Sequence, residues 1–137
     1  MAKYQTGIVL SGGGARGFAH LGVLKALREK GIYPEIISGV SAGAIAGAFI
    51  ADGKDPDEAH RILKDKGFMN FSKINFPGRG LLKLEGLGEI LDQQISVKDL
   101  KELKIPLFVT LANMLDGVAE YYNEGPLSTL VMASSSI

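Results

Sequence analysis

The sequence predicts an α/β fold built on parallel strands, and three observations predict it. Gly7 to Leu10 is a short apolar run that ends in Ser-Gly-Gly-Gly. Phe18, Leu21, Leu24 and Leu27 then recur at helical spacing before a second apolar run, Ile36-Ile37-Ser38. From that run the turn Gly39-Val40-Ser41-Ala42-Gly43 leads into a stretch that is almost wholly Ala, Gly, Ile and Phe. Strand, glycine loop, helix and strand form a βαβ unit, whose two strands run parallel with a right-handed crossover.

Each element follows from its residues. Gly7–Leu10 reads as a fully buried strand, because a short apolar run has no wet face. Ser11 to Gly17 is a loop. In the first helix Lys25, Arg28, Glu29 and Lys30 supply the wet side and Gly31 suits the position just past the C-cap. The helix from Ala42 to Ala51 is apolar on every side, so it is expected to be buried all round. Gly43 and Gly47 lie one turn apart on it, where a missing Cβ admits another backbone. Asp52-Gly53 closes it. Asp55, Pro56 and Glu58 then fit the N-cap, N1 and N3 of a further helix. Its buried side is Ala59, Ile62 and Leu63, and Gly67 ends it.

Phe68 to Leu84 shows no clean period and reads as a long irregular segment. Phe68, Phe71 and Phe76 either plug the core from outside or cover an acyl-chain pocket or a lipid surface. Leu87, Ile90 and Leu91 predict a short helix, and Val97, Leu100 and Leu103 another. Leu107–Ala112 and Val118–Tyr122 flank the turn Met114-Leu115-Asp116-Gly117 and predict a hairpin. Pro126 starts a last helix, Leu127–Ala133.

Composition narrows the function classes. With 137 residues the chain is one domain with room for a core, and 46% hydrophobic and 22% charged residues are ordinary for a globular protein. Lys+Arg and Asp+Glu both number 15, which argues against a general electrostatic grip on nucleic acid. Cysteine is absent, so there is no disulfide, thiolate metal site or cysteine nucleophile. No metal-ligand cluster is visible, and no cofactor is expected. No signal-peptide core precedes the first strand and no run of about 18 apolar residues occurs. The expectation is a cytoplasmic protein, with peripheral membrane contact and homo-oligomerisation left open.

The chemistry centres on Ser41. Gly39-x-Ser41-x-Gly43 between a strand and a helix is the setting of a nucleophile elbow, where a sharp turn lifts the serine clear of the sheet. The helix N-terminus behind it offers free N–H groups and a positive dipole end. Gly12-x-Gly14-x-x-Gly17 admits two readings. With Glu35 as a ribose-binding acid it fits a dinucleotide loop. With Ser41 it fits an oxyanion hole built from the N–H groups of Gly13 and Gly14. An acyl-transfer site needs both loops and a nucleotide site does not, so their joint presence favours the second. Parallel neighbouring strands would bring both loops to one sheet edge.

A serine nucleophile needs a base. Of the two histidines, His20 sits in the first turn after the glycine loop and His60 on the polar side of a surface helix. None follows His60, so the order Ser, Asp, His of α/β hydrolases is unavailable, and a carboxylate acting directly on Ser41 is left.

S-G-G-G-A-R-G-F-A-H-L-G-V-L-K-A-L followed by G-V-S-A-G-A-I-A-G-A resembles the bacterial patatin-like phospholipases. The resemblance covers the whole chain. It implies a three-layer α/β/α sandwich with a mainly parallel central sheet, and a Ser–Asp dyad that hydrolyses acyl esters of lipids. By motif Ser41 is the nucleophile, Gly39 and Gly43 belong to the elbow, and Gly12, Gly13, Gly14 and Arg16 belong to the oxyanion loop. The implied partner is a phospholipid or lysophospholipid substrate. The alternative is a nucleotide-binding domain or a catalytically dead lipid-binding domain.

One departure stands out. The family's catalytic Asp sits in a D-G-[GA] motif well beyond the last helix, and this sequence stops at Ser134-Ser135-Ser136-Ile137. The only Asp-Gly-apolar candidate after the elbow, Asp116-Gly117-Val118, lies in a turn that favours Asp-Gly for backbone reasons. The chain therefore reads as a single domain, residues 1–137, cut short at its C-terminus. Arg16 is expected to brace the glycine loop rather than to bind a phosphate head group, and His20 to be a structural hydrogen-bonding residue.

Overall fold

A computed structural model of the chain describes residues 3–66 and 80–136, with side chains from residue 86 onward in the helix that starts at Gly80. The elements are β1 (Gly7–Leu10), a 3-10 turn (Gly14–Gly17), α1 (Phe18–Glu29), β2 (Ile36–Gly39), α2 (Ala42–Ala51) and α3 (Pro56–Asp65). There follow α4 (Gly80–Gln94), a 3-10 turn (Leu100–Glu102), β3 (Leu107–Asn113), β4 (Val118–Tyr122) and α5 (Leu127–Ser134). The sheet order is β1-β2-β3-β4. The first three strands are parallel and β4 returns antiparallel to β3. The α/β class and the mainly parallel sheet are those the sequence predicts.

The register decides where the site forms. Leu10 pairs with Gly39 and Gly39 with Val109, so β1 and β2 end side by side. The glycine loop and the elbow therefore leave the sheet at adjacent points on its carboxyl edge.

Helix α2 is the centre of the core, and all ten of its residues are buried. It lies across the face made by Leu10, Ile37, Leu107 and Val109, which are at most 2% exposed. Its two glycines set the depth. A Cβ on Gly43 would stand 2.1 Å from the Leu10 carbonyl oxygen, and one on Gly47 would stand 3.0 Å from Leu107 Cδ1. At the far end of α2 the buried Asp52 carboxylate accepts the Ser96 N–H at 3.1 Å, the Ser96 hydroxyl, and Lys54 Nζ at 3.1 Å. A buried charge held by three donors, one of them a cation, is compensated, and it fastens the end of α2 to the chain after α4.

The end of α1 and the start of α3 also follow the sequence. Gly31 takes a φ of +74°, and Asp55 accepts the N–H groups of Asp57 and Glu58 as N-cap. The Glu58 N–H, with that of Asp57, holds the Asp55 carboxyl below its usual range. The hairpin also forms where expected, with Val109 paired to Tyr122 and Asn113 to Val118.

Three expectations change. β1 is not fully buried: Val9 is 81% exposed. Leu10 faces α2 and Val9 faces the other way, and among the described strands β1 pairs only with β2. An apolar run cannot by itself distinguish one covered face from two. Around Leu87 the helix is longer than expected, because α4 begins at Gly80, inside the segment read as irregular. Phe68, Phe71 and Phe76 lie outside the described residues.

Finally, Val97 to Leu103 does not form a helix beyond the short Leu100–Glu102 turn. Its backbone groups pair elsewhere: Leu100 N–H donates to Gly125 O and Leu127 N–H to Lys98 O. The Asp99 carboxylate accepts from Lys101 and Gly125 N–H, which hold its pKa below the usual carboxylate range. Tertiary partners thus take the groups that a helix would need.

The contact at Gly43 yields a paired prediction. Gly43→Ala in the full-length protein should destabilise by about 3 kcal/mol, the cost of overpacking against rigid backbone. Gly22→Ala on α1, where an added Cβ meets nothing within 4 Å, should instead stabilise by about 0.5–1 kcal/mol. Urea unfolding of both variants beside the parent checks the signs.

Candidate active site

Ser41 stands on a strained turn. Val40 N–H donates to Leu10 O at 3.1 Å, Gly43 N–H to Val40 O at 2.9 Å and Ile45 N–H to Ser41 O at 3.1 Å. Between them Ser41 has φ 53° and ψ −121°, and among the described residues it is the one non-glycine with positive φ. Such a conformation costs of order 1–3 kcal/mol and persists only where the surroundings impose it. They do so here. A Cβ on Gly39 would stand 2.6 Å from Gly43 O, so strand and helix meet at van der Waals distance only because both residues are glycine. The result is a sharp strand-to-helix turn with Ser41 at its corner and Gly39 and Gly43 on either side.

A second support comes from α5. Ser41 N–H donates to Ser134 Oγ at 2.8 Å, and Ser134 Oγ–H donates to Thr110 O on β3 at 2.7 Å. No sequence signal pointed to Ser134. It lies 93 residues from Ser41 and binds a backbone group, which leaves no side-chain pattern to detect.

The glycine loop closes over the elbow. A Cβ on Gly12 would touch Ser41 Cβ at 3.5 Å, and one on Gly17 would collide with Ala42 Cβ at 2.4 Å. Gly14 takes φ +53°, Arg16 N–H donates to Gly13 O at 3.0 Å, and His20 Nε2 meets Ser11 O at 2.8 Å. A carbonyl only accepts, so His20 carries its proton on Nε2 at that contact. The N–H groups of Gly13, Gly14 and Ala42 donate to no group among the described residues. Gly13 and Gly14 belong to the loop that approaches Ser41 through Gly12, and Ala42 opens α2 directly after Ser41.

Other candidates are drawn apart. Glu35 precedes β2 and its carboxylate accepts the N–H groups of Gln5 and Thr6. It therefore sits at the amino edge of the sheet, about four strand residues or ~13 Å from the glycine loop. The dinucleotide reading loses its ribose-binding acid. The Asp116 carboxylate is engaged in the hairpin turn, accepting Asn113 Nδ2 at 2.9 Å. His60 packs edge-on against Phe18 with ring centroids 5.4 Å apart.

The Arg16 side chain is exposed and makes no hydrogen bond or ion pair among the described residues. The loop is braced by the Arg16 backbone and by His20 instead, which corrects the expected role of the guanidinium. No group of three or more His, Cys, Asp or Glu that could hold a metal occurs among the described residues. No helix among them is long and apolar enough to cross a membrane.

The His20 contact predicts a local effect. His20→Ala should speed amide exchange across Gly12 to Arg16 and cost about 1 kcal/mol, the usual net worth of one hydrogen bond. Exchange monitored by mass spectrometry, with α3 as the unaffected reference, checks it.

Comparisons with known proteins bear on the family and the fold. An uncharacterized NTE family protein of Mycobacterium tuberculosis is 30% identical over 135 residues, which is 97% of this chain and 38% of that protein. A patatin-like phospholipase domain-containing protein of Caenorhabditis elegans is 33% identical over 141 residues, covering 96% of this chain and 10% of its own length. The neuropathy target esterase sws of Drosophila melanogaster is 27% identical over 147 residues, again spanning 10% of that protein. The chain thus spans well under half the length of these relatives. Among solved structures, Pseudomonas aeruginosa ExoU in its complex with SpcU superposes with a TM-score of 0.60 at 22% identity over 96% of this chain and 36% of that one. VipD of Legionella pneumophila gives 0.60 at 18% identity over 96% and 42%. At these identities the two structures speak for the fold. The family model of patatin-like phospholipases matches residues 8–137, and the chain belongs to that family.

Proposed function

We propose that the protein is a serine-dependent hydrolase of lipid acyl esters, of phospholipase A or lysophospholipase type, with Ser41 as nucleophile. The observation that carries this reading is the close approach to Ser41 of the glycine loop, whose Gly13 and Gly14, like Ala42 at the start of α2, hold N–H groups with no acceptor among the described residues. Family membership names the substrate class.

The steps follow from the geometry. Ser41 Oγ attacks the ester carbonyl carbon as its proton passes to a base. The C=O electron pair moves to the carbonyl oxygen, and that oxyanion is met by the free N–H groups of the glycine loop and Ala42. Preorganised donors of this kind are worth roughly 3–4 kcal/mol each when removed singly. Collapse expels the lysolipid or glycerol alkoxide, which takes the proton, and leaves acyl-Ser41. Water then attacks the acyl carbon by the same route and releases the fatty acid. The base is an aspartate by family resemblance, acting directly on Ser41 as a dyad. Asp116 is not taken for that base in this reading, because its carboxylate accepts Asn113 Nδ2 in the hairpin turn. Positioned general-base catalysis contributes about 10²–10⁴-fold.

Arg16 has a finer part in this reading. Its side chain stands exposed next to the oxyanion loop without a protein partner among the described residues. A guanidinium matches a phosphate in a bidentate way, so it receives the lipid head group.

Two measurements test the proposal. A fluorophosphonate probe should label full-length protein, and Ser41→Ala should abolish labelling; labelling that survives the substitution rejects Ser41. Arg16→Ala should raise KM for a phospholipid about tenfold, near the value of one charge-assisted hydrogen bond. It should leave kcat/KM for an uncharged p-nitrophenyl ester within about twofold, because that substrate offers the guanidinium no phosphate. Equal losses on both substrates would assign Arg16 to the loop instead.

A further inference from the structure

Ser134 is 7% exposed and sits at the last position of α5, with both hydrogen-bonding functions of its hydroxyl in use. Thr110 O can only accept, so the Ser134 proton points to β3. A lone pair is thereby aimed at the Ser41 N–H, 2.8 Å away. The hydroxyl cannot reverse this polarity without losing both bonds. We propose that Ser134 is a positioning residue for the nucleophile: it anchors the Ser41 backbone to β3 and holds the elbow in its strained conformation. The proposal rests on the reading of Ser41 as nucleophile.

Two consequences follow from the bond. The first concerns strain. With φ at 53°, Ser41 gains by relaxing toward ordinary backbone geometry. Rotation of that peptide would swing the Ser41 N–H away from Ser134, so the bond opposes the relaxation directly. β3 is a sound anchor, because Val109, next to Thr110, pairs with Gly39 at the foot of the same elbow. The second concerns the oxyanion donors. Ser41 N–H is committed to Ser134. The hole is then left to Gly13, Gly14 and Ala42, and the serine's own amide does not compete for the substrate oxygen.

Loss of the hydroxyl should move Ser41 Oγ without altering the surfaces that bind lipid. A displacement near 1 Å costs about a hundredfold in rate. Ser134→Ala should therefore lower kcat for a p-nitrophenyl ester by about ten- to a hundredfold with KM within about twofold. Ser134→Thr, which keeps the hydroxyl, should recover most of the loss. Fluorophosphonate labelling of full-length parent, Ser134→Ala, Ser134→Thr and Ser41→Ala proteins should follow the same order, with circular dichroism reporting the folded fraction.

The outcomes separate the two readings. If the parent labels no better than Ser41→Ala, the nucleophile assignment fails and this proposal falls with it. If Ser41 labels normally and Ser134→Ala labels at the parental rate, the positioning role alone is overturned. Should Ser134→Ala not fold, amide exchange in the parent decides. A Ser41 amide protected at least tenfold over those of Gly13 and Gly14 supports the anchor, and exchange as fast as theirs overturns it.

Discussion

The structure depends on one close approach: the backbone of α2 at Gly43 lying against the Leu10 carbonyl at the end of β1. A methyl group at that position would overlap the oxygen at 2.1 Å. Because the contact exists, α2 starts directly over the junction of β1 and β2. The same position puts Ala42 against Gly17, and Gly12 against Ser41. The elbow and the glycine loop are thus two ends of one packing arrangement. Shifting α2 outward by the width of a methyl group would part Ser41 and Ala42 from the glycine loop, even with every residue of both still present.

This explains why so much of the site was legible in the sequence. A backbone-to-backbone contact requires glycine, so Gly39, Gly43, Gly12 and Gly17 announce the geometry directly. The all-apolar composition of Ala42 to Ala51 announces burial on every side, and all ten residues are buried. Parallel neighbouring strands then carry both loops to one edge. What was not legible depends on partners far away in sequence. Ser134 reaches Ser41 across 93 residues through a main-chain donor. Val97 to Leu103 has the apolar spacing of a helix, yet its backbone bonds go to Gly125 and Leu127. Glu35 had the right distance along the chain for a ribose ligand, but it stands before β2 rather than after it, at the wrong edge of the sheet. Arg16 looked like a brace because it has five donors, while the loop is short enough for its own backbone to close it.

The same facts bear on the proposed chemistry. On that reading the groups that serve Ser41 are neutral dipoles: the N–H donors of Gly13, Gly14 and Ala42, the Ser134 hydroxyl, and the first turn of α2. A cation fixed in this place would stabilise a resting carboxylate or phosphate as well as an oxyanion, and so would bind ground state and transition state alike. Peptide dipoles held by packing favour charge only where it develops within hydrogen-bond reach, which is the condition for lowering a barrier rather than merely binding. The permanent charge on the loop, Arg16, is exposed, and the proposed reading gives it the head group rather than the oxyanion.

Strain and anchoring also belong together. The backbone conformation of Ser41 costs of order 1–3 kcal/mol, and few single contacts repay that amount. Here the cost is spread over Gly39 and Gly43 packing, the Val40 bond to Leu10, and the Ser134 bridge to Thr110. These hold the elbow from three directions: β1 on one side, α2 behind, and β3 with α5 on the other. The peptide plane between Val40 and Ser41 is held at both ends, its carbonyl accepting Gly43 N–H at 2.9 Å and its N–H donating to Ser134 Oγ at 2.8 Å. The first bond comes from the turn itself, whereas the second ties that plane to β3 and α5. Loss of the Ser134 hydroxyl would leave the glycine packing and the Gly43 bond in place and remove the long-range tie alone, which is why Ser134 is the support to test for the proposed nucleophile.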